Sequence, residues 1–510
     1  MSFISVIFIV LIVVSYFVLN YRRQSSIIKA ARCLPGPKPF PLIGNACYLL
    51  RKDFDEFLNS MLSLMDGYSS PARFWFGNKL YIVVYEPEQI KIVLQSSSCL
   101  DKGEVYKYVE SWLGTGLLTA PASIWKHTRK MIAPCFNASL LKVFFDTFAK
   151  QSLTLVHQLE KLESYEKEVD LFHYIWLCTL DIIYESITGM KLESQSNRDN
   201  RYVKAITRIK EIVAIRMRNI FLLPNTLFNL THLSREQLKN LTLIHSYADK
   251  VIKRASNKLN YTSKTEKFYS SVLLSNNTAT KTFLDILMKA SYDGKTLTEN
   301  NIRDEVNTIL VTGSDTTAVT VNFTIFILAN IPEIQEKVYK ELSEIYGNEN
   351  LNSAPIKYED LQHMDYLSRV IKETMRLFPL VACVVRHLKE DLKIGEFILP
   401  KGADIFLPFI KIHRNERYWQ NPLVFDPDRF LPHNMANRHQ YSYLPFSNGP
   451  RNCIGWKYGM VSMKVMLATL IRTFVFKVDK RIKLDEIKLN VAPLLTVINP
   501  LKVKITKRNV

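Results

Sequence analysis

Residues 445–456 read PFSNGPRNCIGW and hold one of only seven cysteines in a chain of 510 residues. Buried structural cysteines usually sit in apolar runs, where they behave as small hydrophobic residues. Cys453 instead lies in a polar loop with two glycines, just before a stretch with a helical pattern. Backbone N–H donors and a helix N-terminus lower the pKa of a thiol and favour the thiolate, which is the form that binds metals. The pattern therefore predicts that Cys453 is a metal ligand.

The residues around Cys453 strengthen this interpretation. Gly449 and Gly455 allow turns and close approaches that a Cβ would block. Arg451 can pair with a carboxylate through two hydrogen bonds, and Phe446 can shield the sulfur from water. The spacing F-x-x-G-x-R-x-C-x-G resembles the haem-binding signature of the cytochrome P450 family, and five fixed residues recur by chance in about one of 10⁶ windows. The resemblance implies that these residues hold haem b (iron protoporphyrin IX) and that Cys453 ligates its iron.

Composition excludes several classes of protein. The formal net charge is +19, yet basic and acidic residues are mostly interleaved, which does not favour nucleic acid as a partner. The excess of positive charge fits an anionic membrane face or an acidic protein. The seven cysteines are odd in number, scattered along the chain and include no CxxC pair. This pattern indicates a reducing compartment and argues against a disulfide framework or a zinc finger.

The N-terminus predicts a membrane anchor. Residues 3–19, FISVIFIVLIVVSYFVL, carry no charge and would span ~26 Å as a helix, near the lower limit for crossing a bilayer. A cleaved signal peptide would need a basic segment before this run and a small-residue cleavage site after it. Arg22 and Arg23 follow it instead, so by the positive-inside rule the rest of the chain faces the cytosol. We expect a single-pass anchor over residues 1–20.

Three regions are predicted along the chain: the anchor, a basic and proline-rich hinge over 21–44, and one catalytic domain over 45–510. A Ser/Thr/Asn-rich stretch at 261–282 favours a surface loop. Helical patterns dominate the catalytic domain, notably over 298–331, over 361–377 and after Cys453. The strand-like stretches are short: Leu80–Tyr85, Leu392–Leu399 and the C-terminal VINPLKVKITK. The fold class is mainly α with a minor β portion, and the resemblance implies the cytochrome P450 fold.

Two further motifs match the same family. Glu373 and Arg376 resemble its E-x-x-R motif, a pair that by itself decorates many helices. Arg429, in FDPDRF, falls where the family has a second arginine. A buried charge must be paired to be tolerated, so the resemblance implies a Glu–Arg–Arg network with a structural role.

Donors for the haem propionates are also predicted by resemblance. Trp125 and Arg129 lie one helical turn apart in a W-x-x-x-R-K motif, and both side chains are donors suited to an anion. Arg386, ten residues beyond Arg376, falls where a further propionate partner is expected. An ordinary surface cation is the alternative for Arg386.

The middle of the predicted helix 298–331 contains Gly313-Ser-Asp315-Thr316-Thr317. These residues weaken a helix interior, and they resemble the family's oxygen-activation motif. The resemblance implies a break in the hydrogen-bond ladder at Gly313, a hydrogen bond donated by Thr316 at the oxygen-binding face, and proton relay by Asp315. Without the cysteine loop, a local kink would be the simpler interpretation.

The resemblance implies a monooxygenase that inserts one atom of O2 into a small lipophilic substrate: a fatty acid, an isoprenoid, an odorant or a xenobiotic. Electrons would come from NADPH through NADPH–cytochrome P450 reductase, with cytochrome b5 as a second candidate donor, at the endoplasmic reticulum membrane. The reductase would dock on a basic surface formed by Lys126, Lys130 and Lys457.

Two stretches, IRDEVNTILVTGSDTTA (302–318) and WLGTGLLTA (112–120), resemble the microsomal family-four clan and its insect members. Many members carry a glutamate before the glycine that becomes esterified to the haem. Here that residue is Thr312, so ω-hydroxylation is not implied. Gly459 also replaces a common alanine.

Two other functions stay open on the sequence. One is a haem-thiolate isomerase or dehydratase that rearranges peroxides without a reductase, and the other is a non-catalytic haem- or lipid-binding membrane protein. Retention of Asp315 and Thr316 argues against the first. NADPH-dependent oxygen uptake with reductase would separate all three.

Overall fold

The computed structural model describes residues 25–40, 43–50, 57–162, 167–197, 199–269, 282–292, 297–347, 354–491 and 494–508. In these residues helices dominate and strands are short, which confirms the predicted class. The helices are α1 (Ser25–Ala31), α2 (Cys47–Leu50), α3 (Phe57–Asp66), α4 (Pro87–Gln95), α5 (Lys107–Leu113), α6 (Ala122–Ile132), α7 (Ala138–Glu160), α8 (Phe172–Thr188), α9 (Arg201–Arg218), α10 (Asn225–Phe228), α11 (His232–Tyr269), α12 (Phe283–Tyr292), α13 (Glu299–Asn330), α14 (Pro332–Tyr346), α15 (Asp365–Leu377), α16 (Phe409–His413), α17 (Pro432–Met435) and α18 (Trp456–Thr473).

The strands form one larger sheet and three small ones. The larger sheet has the order β1-β2-β8-β5-β3, in which β2 and β8 are parallel and the other pairs antiparallel. The small sheets are β10-β11, β4-β12-β9 and β6-β7. The strands are β1 (Ala72–Phe76), β2 (Lys79–Val83), β3 (Asp101–Lys102), β4 (Val169–Asp170), β5 (Val384–His387), β6 (Leu392–Ile394), β7 (Phe397–Leu399), β8 (Asp404–Leu407), β9 (Phe474–Lys477), β10 (Leu489–Val491), β11 (Leu495–Val497) and β12 (Lys502–Lys507).

Helix α13 is the centre of the helical core. Thr298 caps it, because its hydroxyl accepts from the Asn301 N–H while the Asn301 side chain accepts from the Thr298 N–H. The helix ends before Pro332, which opens α14. Near its end Phe323 stacks on Phe378 with 4.5 Å between ring centroids. The long central helix was predicted, and every residue of its part 317–330 is buried.

Several predicted elements differ in detail. The stretch Leu392–Leu399 is a hairpin of two strands, because Gly395 takes a positive φ of 58° between them. The C-terminal strand-like run divides into the end of β11 and β12. Helix α11 extends to Tyr269, so the predicted loop over 261–282 is wrong for its first residues, and 270–281 lie outside the described residues.

The predicted hinge is attached to the larger sheet. Residues 25–31 of the hinge form α1, and after that helix the Pro35 carbonyl accepts from the Arg73 N–H at 2.8 Å. The Arg73 side chain donates to the Ala31 carbonyl at 2.8 Å. The predicted anchor over residues 1–20 lies outside the described residues. Among those described, no unbent helix is long and apolar enough to cross a bilayer, and the pair α13–α14, bent by 110°, passes by length and composition only.

Candidate active site

The cysteine loop, residues 445–455, brings one thiol to the start of α18. The Cys453 N–H donates to the Phe446 carbonyl at 2.9 Å and closes the loop, and α18 begins at Trp456. The Cys453 side chain is exposed, although burial by the surrounding protein raises the pKa of its thiol. A thiol that is accessible and yet desolvated faces a concave space inside the protein.

Two groups oppose the effect of burial on Cys453. The Gly455 N–H donates to the sulfur, and the Arg129 cation lies near it. Both favour the thiolate, as expected before a helix. Burial outweighs them, so the expected lowering of the thiol pKa is not reached by the protein alone. A coordinated metal cation would supply the remaining positive charge.

The two glycines of the loop differ. Gly449 has a φ of +75°, and a Cβ there would lie 2.1 Å from the Leu94 carbonyl oxygen, so glycine is required. At Gly455 a Cβ would meet only Phe136, at 3.7 Å, which is an ordinary contact. Within the polypeptide alone, a Cβ is therefore excluded at Gly449, whereas the role of Gly455 as a cofactor-binding residue stays a prediction. Phe446 is half-buried and packs against the helical core.

Three cations converge beside the loop. Lys102 on β3 is the register partner of Arg386 on β5, and like charges directly opposite on a sheet repel. Burial lowers the pKa of Lys102 well below its ordinary value, and the nearby Arg386 and Arg451 cations lower it further. Burial also lowers the pKa of Arg386, and that of Arg451 to about 10. We call Lys102, Arg386 and Arg451 the cation cluster.

The cation cluster lacks a carboxylate partner within the described part of the chain. Arg386 Nη1 and Arg451 Nε are buried there without a hydrogen-bond acceptor. Asp101, whose charge acts on Arg451, is engaged by Lys389 at 2.6 Å. Uncompensated buried donors of this kind fit an anion, and the two propionates of a haem supply two such charges. The residues present therefore fit the predicted cofactor.

Trp125 and Arg129, both on α6, contact two neighbouring residues of the cysteine loop. The Trp125 ring is buried, and the Arg451 guanidinium carbon lies 4.6 Å from its centroid. Arg129 donates to the carbonyl and side-chain oxygens of Asn452 at 3.0 and 2.8 Å. Arg129 thus ties α6 to the cysteine loop, and its role toward a propionate stays a prediction.

The motif in α13 faces an open space. Most of the helix around it is buried, but Val311, Thr312 and Thr316 are only partly so. The hydroxyls of Thr312 and Thr316 donate to the carbonyls of Thr308 and Thr312, at 2.8 and 2.6 Å. Because each of these hydroxyls donates to the carbonyl four residues earlier, its donor has an acceptor within the helix itself.

The predicted notch at Gly313 is wrong. Helix α13 is continuous through this residue. A Cβ at Gly313 would lie 2.8 Å from two carbons of the Ile183 side chain on α8. The glycine is therefore explained by the close packing of α8 on α13.

Asp315 is buried and held by two neighbouring helices. Its Oδ1 accepts from Lys210 Nζ on α9 at 3.0 Å and from Trp176 Nε1 on α8 at 2.5 Å. Lys210 Nζ also lies 3.9 Å from the centroid of the Trp176 ring. Neither partner was predicted, because no sequence motif joins these three helices.

The Glu–Arg–Arg network has the predicted partners. Arg376 Nε and Nη2 donate to the two Glu373 oxygens at 2.7 and 2.8 Å, and Arg429 Nε lies 3.3 Å from Glu373 Oε1. The Asp426 N–H adds a bond of 2.9 Å to the same oxygen. Arg376 also donates to the His413 carbonyl at 2.8 Å. This network is buried and paired, which suits a structural role.

The three predicted docking lysines, Lys126, Lys130 and Lys457, are all exposed. Lys126 and Lys130 lie on α6, the helix that carries Arg129, and Lys457 lies in the first turn of α18. They therefore flank the cysteine loop from two elements.

Comparison with known proteins agrees with this geometry. The family model described as cytochrome P450 matches residues 34–505. Cytochrome P450 4c3 of Drosophila melanogaster is 34% identical over 97% of this chain and 93% of its own length. Cytochrome P450 4c21 of Blattella germanica is 34% identical over 99% of both chains. Cytochrome P450 4V2 of Homo sapiens is 34% identical over 92% of this chain and 89% of its own.

A solved structure supports the fold independently. The crystal structure of the cytochrome P450DA heme domain superposes with a TM-score of 0.77, at 20% sequence identity, over 93% of this chain and 98% of that one. The predicted resemblance to family-four members, including insect ones, is confirmed by the relatives above. The chain belongs to the cytochrome P450 family and is a monooxygenase, an oxidoreductase.

Proposed function

We propose that this monooxygenase holds haem b through Cys453 and inserts one oxygen atom into a small lipophilic substrate, with electrons that pass from NADPH through a reductase. The observation that carries the proposal is the pairing of an accessible, desolvated thiol with a buried cation cluster that has no carboxylate among the described residues. A thiol alone is common in proteins, but together the two features match both ends of a haem.

Bound at this site, a haem-thiolate supplies the activation of O2, from which one oxygen atom enters the substrate and the other leaves as water. Cys453 would provide the sulfur ligand to the iron. Lys102, Arg386 and Arg451 would bind the propionates, with Trp125 beside Arg451. Because the three cations come from a sheet and a loop, two separate parts of the chain would hold the haem.

Proton supply falls to α13. The Thr316 hydroxyl holds its proton on the Thr312 carbonyl and can turn it toward the open space beside the helix. Asp315 Oδ1 accepts hydrogen bonds from Trp176 on α8 and Lys210 on α9. Delivery of a proton therefore requires Asp315 to exchange these partners.

The substrate and the membrane setting are further parts of the proposal. Val311, Thr312 and Thr316 are half-buried on α13, and both threonine hydroxyls donate within the helix. In this state they leave no unpaired hydroxyl donor toward the space beside α13, which suits a lipophilic molecule such as a fatty acid, isoprenoid, odorant or xenobiotic. With threonine at position 312, no ester to the haem can form. We place the chain at the endoplasmic reticulum membrane, with reductase, or cytochrome b5, docked on Lys126, Lys130 and Lys457.

The test is the spectrum of the reduced, carbon monoxide-bound protein. We expect the far-shifted band of thiolate-ligated haem in the wild type and its loss in Cys453→Ser. Cys33→Ser, at an exposed cysteine, is the matched control and should keep the band. A wild-type protein without the band overturns the proposal. With reductase, NADPH-dependent oxygen uptake separates the monooxygenase from a peroxide isomerase, which would turn over without it.

A further inference from the structure

The 112–120 segment, WLGTGLLTA, is one of the two stretches that resemble the family-four clan, and it has no part in the function proposed so far. On one side it is held by two consecutive carboxyl groups of α13. The Thr115 N–H donates to Asp304 Oδ2 at 2.9 Å, and the Leu117 N–H donates to Glu305 Oε2 at 3.0 Å. Each acid thus satisfies a backbone donor of a stretch without regular structure.

The other side of the segment faces the cysteine loop. The Leu117 carbonyl accepts from Arg451 Nη1 at 3.4 Å, and the Ala120 carbonyl accepts from Arg451 Nη2 at 2.5 Å. These two bonds use two of the five N–H donors of Arg451, and its buried Nε has no acceptor among the described residues. The segment therefore bridges α13 and the arginine of the cation cluster, and it fixes the orientation in which that guanidinium faces an anion.

The two glycines of the segment permit this close fit. Gly114 has a φ of +54°, and a Cβ there would lie 2.0 Å from Asp304 Oδ2. A Cβ on Gly116 would lie 2.2 Å from Thr308 Oγ1 and 2.7 Å from the Asp304 carbonyl oxygen. The backbone approaches α13 more closely than any side chain would allow.

Glu305 is almost fully enclosed, at 2% exposure. Burial raises the pKa of its carboxyl group to about 8, opposed by the Leu117 N–H and reinforced by the Asp304 charge. Asp304 in turn faces Arg303 on its own helix and His245 from α11. The 112–120 segment brings no ionisable side chain, and in the described ranges no cation contacts Glu305.

We propose that Glu305 is a positioning residue, which holds the 112–120 segment against α13 and through that segment orients Arg451 toward the haem. The orienting part rests on the proposed function, whereas the hold on the segment does not. Because Glu305 and Arg451 bond to opposite sides of one short stretch, loosening it at Glu305 frees the carbonyls that fix Arg451.

Protonation sets the strength of this hold. When the segment opens and water reaches Glu305, its carboxyl ionises near its ordinary value of 4.5, but in the closed form it ionises only near 8. The ratio of open to closed protein therefore rises by up to tenfold per pH unit between these two pKa values, and it stops rising above about pH 8. The segment should be tight in mild acid and looser in mild alkali.

The test is hydrogen exchange of the backbone amides of 115–117 in the full-length holoprotein, corrected for the intrinsic exchange rate. In the wild type, we expect protection to fall at least tenfold between pH 6 and 8. Glu305→Gln keeps an acceptor for the Leu117 N–H but cannot ionise, so its protection should stay flat. Glu299→Gln, at an exposed acid in the first turn of the same helix, should behave as the wild type.

The second readout is the rate at which haem passes to excess apomyoglobin. We expect Glu305→Gln to match the wild type at pH 6 and to lose haem several-fold more slowly at pH 8, and Glu305→Ala to lose it several-fold faster at both. If Glu305→Gln keeps the wild-type pH dependence of exchange, the proposal is wrong. If exchange responds but haem loss does not, the link to Arg451 is wrong. A wild type without thiolate-bound haem sinks the proposed function, and exchange still decides the hold of Glu305.

Discussion

Two buried groups of charges in this protein are built in opposite ways. The Glu373–Arg376–Arg429 network contains its own anion, which pairs with both arginines, although Arg429 Nε, 3.3 Å from Glu373 Oε1, makes no hydrogen bond among the described residues. The cation cluster has three positive charges and, within the described residues, no bound carboxylate. The first group is complete in the polypeptide alone, and the second requires a partner. The presence or absence of a carboxylate partner therefore distinguishes a structural site from a binding site, without reference to any motif.

Removal of the anion from the complete network should have the largest effect. Glu373→Ala leaves two buried guanidinium groups unpaired, which we expect to cost about 3–5 kcal/mol of unfolding free energy. Denaturant unfolding, or the yield of folded protein where the loss is too great, measures this. Glu344→Ala, at an exposed acid on α14, is the control. If the two variants had the same free energy of unfolding, Glu373 would not be the anion that compensates the two arginines of the network.

Removal of a cation from the cluster should have the opposite sign in the haem-free protein. Lys102→Met removes a buried charge that repels Arg386 and Arg451, so we expect a gain of about 1–3 kcal/mol. The holoprotein should lose haem about tenfold faster, since a charge-assisted bond is gone. Lys91→Met, at an exposed lysine of α4, should change neither quantity.

The same cluster predicts a pH dependence. Since the pKa of Lys102 is lowered in the folded state, the unfolded chain binds the extra proton up to its ordinary value of 10.5. Stability of the haem-free wild type should therefore rise with pH toward 10.5, by up to about 1.4 kcal/mol per unit. Thermal unfolding at a series of pH values should show a shallower rise in Lys102→Met.

The complete network should instead be sensitive to acid through His413. Burial and the Arg376 cation lower the pKa of this histidine to about 3, and its Nε2 accepts from the Leu444 N–H at 2.7 Å. Between pH 6.5 and 3 only the unfolded chain takes up the proton, so stability falls with acid in that window. His413→Gln should flatten the fall, and His363→Gln, at an exposed histidine, should not.

The smallest effect is expected where no charge is involved. Gly459 lies within α18, and an added Cβ would have no atom within 4 Å. Gly459→Ala should stabilise the protein by about 0.5–1 kcal/mol through helix propensity, with haem retention unchanged. If Gly459→Ala changed the rate of haem loss as much as Lys102→Met does, haem retention would not depend specifically on the charges of the cation cluster.

The sequence predicted the complete network better than the cluster. Glu373 and Arg376 are one helical turn apart, so a local motif contains most of their geometry. Lys102 was missed because it meets Arg386 only through the register of β3 with β5, which local patterns do not specify. The same reason hid Lys210 and Trp176, which reach Asp315 from two other helices. Gly313 was misinterpreted, since its neighbour Ile183 lies on α8.

The register of β3 with β5 has a consequence for how the protein matures. Lys102, Arg386 and Arg451 come from widely separated parts of the chain, and Cys453 follows the last of them. A nascent chain on the ribosome cannot assemble this site before its final helix has been synthesised, because contacts of such long range form late. All of these residues can therefore act together on a porphyrin only after at least the first 453 residues have been synthesised, and a product that ends before residue 451 would lack both Arg451 and Cys453.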